Sequence, residues 1–197
     1  ENIVKKCNKV LHKERKLRTP PSLDKKQLTS WNALVIKGLA VSGRVLDRKD
    51  YIQSARKSLE FIEKNQFNKN TLMACYISKM SKFPAYLDDH AFLLDAILEF
   101  LQSEWDTKLL HFAIKLANTL IDNFLDEEKG GFFFTRNNHE KLIFRSKPMS
   151  DDAMPSGNGI ACFTLQRLGF LVGDEKYLHA SKKTLESGFS LLKESPH

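Results

Sequence analysis

Apolar residues recur along this chain at the spacing of a helix face, and the recurrence breaks into six stretches. In the first, Asn32–Leu46, they fall at Leu34, Val35, Leu39 and Val41. Lys49–Ile62, Asp89–Glu104, Lys108–Phe124, Gly157–Leu171 and Glu175–Leu191 follow the same rule. Each predicts an amphipathic helix with one buried side.

The six stretches pair on one template. Counted from Asn32, His90 and Asn158, the second position on holds Leu34, Phe92 and Ile160, and the seventh holds Leu39, Ile97 and Leu165. A small residue recurs at Ala55, Ala113 and Ser181, and a polar turn falls at Asp47, Asp106 and Asp174. The pattern predicts one helix–turn–helix unit used three times. Turns within a unit are short, whereas residues 64–86 and 126–155 form long connectors. Connectors of that length predict some structure of their own. Gly130–Thr135 and Lys141–Arg145, around the polar turn Arg136–Glu140, read as a β-hairpin, and Thr71–Ser78 as a further short strand. All long connectors and all first-helix starts then lie at one end. Thr29–Asn32, Leu87–His90 and Pro155–Asn158 meet there, so a binding site is expected among them.

Composition narrows the picture. The 197 residues suit one domain, 42% hydrophobic and 28% charged, and no apolar run reaches the ~18 residues of a membrane span. Six of the seven net positive charges sit in residues 1–26, where nine Lys/Arg oppose three acids. Without aromatic residues or a nucleic-acid motif, that stretch reads as a solvated basic helix and linker, with 27–197 as the folded body. Neither nucleic acid nor membrane is expected as a partner. Cys7, Cys75 and Cys162 form no CxxC and no metal spacing, which favours a reducing, cytoplasmic setting and no metal site. No phosphate loop or Rossmann glycine pattern is present, so no cofactor is expected. The chain opens at Glu1 without an initiator Met, as a piece of a longer protein would.

Four motifs then carry a resemblance. They are Leu28-Thr29-Ser30-Trp31-Asn32-Ala33-Leu34 with Gly38-Leu39-Ala40, Tyr86-Leu87-Asp88-Asp89-His90-Ala91-Phe92-Leu93, Gly130-Gly131-Phe132-Phe133-Phe134-Thr135 and Asp152-Ala153-Met154-Pro155-Ser156-Gly157-Asn158. In this order they resemble the helical region of the spermatogenesis-associated protein 20 family. The family pattern has a second Asp beside Asp24 and a Tyr where His90 stands. The resemblance implies an all-α, six-hairpin (α/α) toroid, related to N-acylglucosamine 2-epimerases and six-hairpin glycosidases, that follows a thioredoxin-like domain. Three hairpins make a partial toroid with a β-hairpin insertion. Missing toroid and thioredoxin-like segments of a parent chain, or self-association, would complete it.

Three functions follow as expectations. The first is a carbohydrate-binding or isomerase/epimerase-like module, in which a base and an acid flank a carbon next to a carbonyl. His90 is the one histidine that begins a first helix. The second is hydrolysis by paired carboxylates, with Asp88 or Asp89 opposite Asp151 or Asp152. Helix capping is the structural alternative for each of these acids. The third is a non-catalytic interaction or scaffolding domain. The candidate catalytic residues are Asp89, His90 and Asp152. Trp31, Asn32, Asp88, Arg145 and Asn158 are the candidate substrate contacts: Trp31 to stack on a sugar ring, the amides to hydrogen-bond it, and Arg145 to hold a carboxylate or phosphate.

Overall fold

Helix α1, Asn2–Lys16, has no buried residue, and an extended stretch separates it from the body in this computed structural model, which describes residues 2–139 and 143–194. After β1, Gln27–Leu28, come α2, Thr29–Val45, and α3, Lys49–Gln66. Strands β2, Phe67–Asn68, β3, Thr71–Ile77, and β4, Met80–Pro84, lead into α4, Leu87–Leu101, and α5, Thr107–Phe124. Helices α6, Gly157–Val172, and α7, Glu175–Glu194, complete the order.

The three expected hairpins are therefore α2/α3, α4/α5 and α6/α7. Their ends carry the usual signals. Asp106 caps α5 by accepting the Lys108 and Leu109 N–H groups, Ser156 caps α6 through the Gly159 N–H, and Gly173 closes α6 at φ 70°. Helices α2, α4 and α6 stand side by side, and α4 packs on both of the others. That position explains its composition: every α4 residue except Asp88 and Glu99 is buried. The flanking helices have one such neighbour each. Val35 on α2 is 61% exposed, whereas its repeat counterparts Leu93 and Ala161 are fully buried.

One polar seam crosses the three inner helices. Asp95 on α4, 2% exposed, takes Lys37 of α2 at 2.6 Å and Arg167 of α6 at 3.2 Å. Arg167 also reaches Glu99 at 2.8 Å, and Arg44 of α2 meets that carboxylate at 3.1 Å. Two buried or half-buried acids are thus neutralised by cations from both sides, as burial of charge requires.

The β-hairpin lies in the first connector. β3 pairs antiparallel with β4 and with β1, and β2 adds to its other end. The two tight turns place Lys69, Asn70, Ser78 and Lys79 at positive φ, the geometry of two-residue hairpin loops. The hairpin expected at 130–145 is not formed among the described residues; Glu140, Lys141 and Leu142 lie outside them. Gly130 and Gly131, at φ 70° and 75°, turn the chain back onto the end of α5. A single bridge, Leu125 to Phe132, forms there. The Phe133 N–H donates to the Phe124 carbonyl and the Phe134 N–H to the Ser146 carbonyl, each at 2.8 Å, so the aromatic run joins the end of α5 to the returning segment without a strand ladder.

Candidate functional site

The starts of α2, α4 and α6 meet at one end of the helical layer. Asp89 makes the first link. Its Oδ1 accepts the Ser30 N–H of α2 at 2.9 Å, and its Oδ2 accepts the Tyr86 N–H at 2.9 Å. Both oxygens are thus committed to backbone groups left over at helix starts. Asp88 makes the second link. Its side chain lies against Gly157, the first residue of α6, where a methyl group would overlap Oδ1. Unlike Asp89, Asp88 leaves that buried oxygen without a hydrogen-bond partner.

Burial pushes both carboxyls up to about 6, and among the described residues neither forms an ion pair. The Tyr86 and Ser30 N–H bonds work against that rise at Asp89. His90 behaves oppositely. It is 1% exposed, its Nδ1 lies 2.9 Å from the Tyr86 carbonyl, and its ring tilts against Phe124. Burial brings it down to about 4, and the nearby Arg136 charge adds to that. Near neutral pH the ring is uncharged and faces the interior.

The other expected residues divide. Trp31 is 60% exposed on the first turn of α2, one residue beyond the Ser30 N–H. Asn32 is spent locally, its Nδ2 donating to the Leu28 carbonyl at 2.8 Å. Asn158 is buried and satisfied within the chain. Its Oδ1 accepts the Phe132 N–H, and its Nδ2 donates to the Phe132 and Pro148 carbonyls. Asp152 is exposed in the turn before α6, while its neighbour Asp151 accepts the Ser156 N–H at 2.8 Å. Arg145 donates to the Thr135 carbonyl and lies over the Phe133 ring at 4.1 Å.

The second connector supplies residues that sequence reasoning passed over. The Leu87 N–H donates to the Phe134 carbonyl at 3.0 Å, which brings residues 134–139 against the start of α4. Tyr86 stacks on Phe134 with ring centres 5.0 Å apart, and His139 stands 5.9 Å from the Tyr86 ring. Arg136 lies between them in sequence. The signal was its place directly after the aromatic run, but a polar turn hides any such role. Among the described residues no cluster of His, Cys, Asp and Glu could hold a metal ion, and no helix is long and apolar enough to cross a membrane.

No family model matches the chain. It is 29% identical over 179 residues to spermatogenesis-associated protein 20 of Homo sapiens, covering 85% of this chain and 23% of that protein. The chain thus spans about a quarter of the length of the curated relatives it matches. Cellobiose 2-epimerase from Spirochaeta thermophila shares its fold at TM-score 0.68 and 13% identity, over 83% of this chain and 43% of that one. An inactive α-1,6-mannanase of Salegentibacter, with two consecutive aspartates replaced by asparagine and α-1,6-mannotriose bound, gives TM-score 0.60 at 14% identity, over 81% and 46%. The resemblance read from the four motifs holds, and the fold is a partial (α/α) toroid of the kind found in sugar epimerases and glycosidases.

Proposed function

We propose that the meeting point of the three inner-helix starts is a carbohydrate-binding mouth, with Asp88 as its acid–base group and Trp31 as its stacking surface. One observation carries the reading: a buried carboxylate oxygen with no partner, on a group that titrates at about 6. A proton donor or acceptor for sugar chemistry needs a pKa near the working pH and an unused oxygen. In this reading Asp89 and Asn158 are positioning residues. The first fixes α2 against α4, and the second fixes α6 against its connector.

The buried, carbonyl-bound His90 gives little support to an epimerase-like mechanism run by that histidine. Carboxyl chemistry fits better. The mannanase made inactive by replacing two consecutive aspartates adds weight, since Asp88 and Asp89 are consecutive and begin an inner helix. In a hydrolytic reading Asp88, protonated, would deliver its proton to the leaving oxygen. Asp152, on the exposed turn before α6, is the candidate for activating water. The open sides of α2 and α6/α7 are, in the same proposal, the places where further hairpins extend the ring.

The test is a thermal-shift and calorimetric screen of monosaccharides, disaccharides and mannooligosaccharides. Binding by the chain, lost in Trp31→Ala and retained without turnover in Asp88→Asn, is the expected result. No binding to any sugar would reject the mouth and favour a scaffolding domain.

A further inference from the structure

We infer that this mouth is built for a carbohydrate bearing a negative charge, a carboxylate or a phosphate, held by Arg136 and Arg145. The inference rests on the carbohydrate reading above and narrows it to anionic sugars.

The argument starts from basic groups that lack acids. Between 134 and 147 the chain carries the basic residues Arg136, His139, Lys141, Arg145 and Lys147 and one acid, Glu140; Glu140 and Lys141 lie outside the described residues. Lys147 is neutralised in the ordinary way, 2.7 Å from Asp126 and 3.0 Å from the Gly130 carbonyl. The two arginines are not. Among the described residues neither forms an ion pair, with Asp88, Asp89 or any other acid. Each leaves its Nε buried and without a hydrogen-bond partner. Burial lowers the pKa of both guanidinium groups; at Arg136 no acid opposes it, and at Arg145 the Asp126 charge opposes it only in part.

Their placement is specific. The arginines bracket Thr135: Arg136 follows it in the chain, and Arg145 donates to its carbonyl. The Thr135 hydroxyl is also buried and unpartnered, as is His139 Nδ1. The preceding residue, Phe134, accepts the Leu87 N–H next to Asp88, and the Arg136 charge is felt at His90. The Arg136 Nε, a hydroxyl and an imidazole nitrogen therefore stand unsatisfied beside the mouth, and Arg145, bound to the Thr135 carbonyl, keeps its Nε unpartnered next to them. A half-buried guanidinium without an anion is costly, and its planar fork matches carboxylate or phosphate oxygens two at a time. A charged substituent would occupy the arginine side while Asp88, neutral below about pH 6, faces the ring atoms.

The experiment compares glucose and mannose with glucuronate and galacturonate, with glucose 6-phosphate, and with inorganic phosphate alone, by calorimetry at pH 6. Expected is binding of a charged sugar at least about tenfold tighter than its neutral counterpart, weakening as salt rises. Arg136→Gln should remove that preference while keeping the melting temperature, since it loses no ion pair; Arg145→Gln should remove it with a lower melting temperature, because it also gives up the Thr135 carbonyl and the Phe133 ring. Arg136→Lys should restore part of it. The uronate and sugar-phosphate arms identify the anion. Equal affinity for neutral and charged sugars overturns this inference and leaves the carbohydrate mouth standing. Inorganic phosphate binding as tightly as the sugar phosphate overturns it in favour of a plain anion site. No binding in any arm overturns both readings.

Discussion

Asp88 and Gly157 touch across two inner helices, the carboxylate of one resting on the bare Cα of the other. A methyl group at 157 would also stand 3.0 Å from Leu87 Cγ, inside van der Waals contact. A side chain at 157 must therefore displace either the candidate acid or a fully buried leucine. Gly157→Ala is expected to cost about 1–3 kcal/mol by overpacking. Combining it with Asp88→Gly should recover part of that loss, which denaturant titration of the single and double variants will show. Strict additivity of the two substitutions would mean that the residues do not press on each other.

The neighbouring aspartates should respond in opposite ways. Asp88 has a raised pKa and an unpartnered oxygen, so its contribution to stability is present below about pH 4 and is lost as pH rises through about 6. Asp88→Asn removes that loss. Its melting temperature relative to the parent should climb between pH 4 and pH 7, by the equivalent of about 1 kcal/mol after solvent screening of a group that is not fully buried. Asp89→Asn instead leaves either the Ser30 or the Tyr86 N–H unpaired, which costs about 1–2 kcal/mol. The cost should be plainest at pH 4, where ionisation penalises the parent least. Melting curves of both variants from pH 4 to 8 separate the two roles. Equal, pH-independent shifts would contradict them.

The helices were legible because their apolar spacing is long and regular. Helix α5 is read as Lys108–Phe124 and runs Thr107–Phe124; α7 is read as Glu175–Leu191 and starts at Glu175. The convergence of three helix starts followed from short turns alternating with long connectors. The aromatic run at 132–134 was not legible in the same way. An aromatic run followed by a polar turn reads as a strand, but Gly130 and Gly131 fold the run back onto α5, a tertiary decision that propensity does not contain. The same holds at His90 and Asp89. A polar residue at a helix start is either a ligand contact or a cap, and only the neighbouring Ser30 and Tyr86 backbones decide which oxygens remain free.

The polar seam gives a third prediction. Asp95→Ala would leave Lys37 without its carboxylate and Arg167 with Glu99 alone. Losing the acid at the centre of three helices is expected to cost about 2–4 kcal/mol, and moderate salt should change that cost little, because buried pairs are weakly screened. Urea unfolding at low and high ionic strength measures both parts. A cost that vanishes in salt would assign the seam to surface electrostatics.

The open edges of the arc give the last prediction. Helix α4, flanked on both sides, buries Leu93 completely, whereas α2 leaves the equivalent Val35 exposed. At the opposite end α6 and α7 expose Phe170, Leu185 and Phe189 around a groove that also includes Gln166 and Leu178. Apolar surface of this kind on both ends of a ring segment favours association, at about 25 cal/mol per Å² removed from water. Copies of this chain should therefore associate edge to edge, the α2 side of one against the α6/α7 side of the next. Light scattering should find species larger than the monomer at micromolar concentration, and apolar dyes should bind the chain on dilution. Val35→Glu together with Phe170→Glu should return it to a monomer with its helical content unchanged. A parent chain that is monomeric at every concentration and binds no dye would show that these edges do not attract one another.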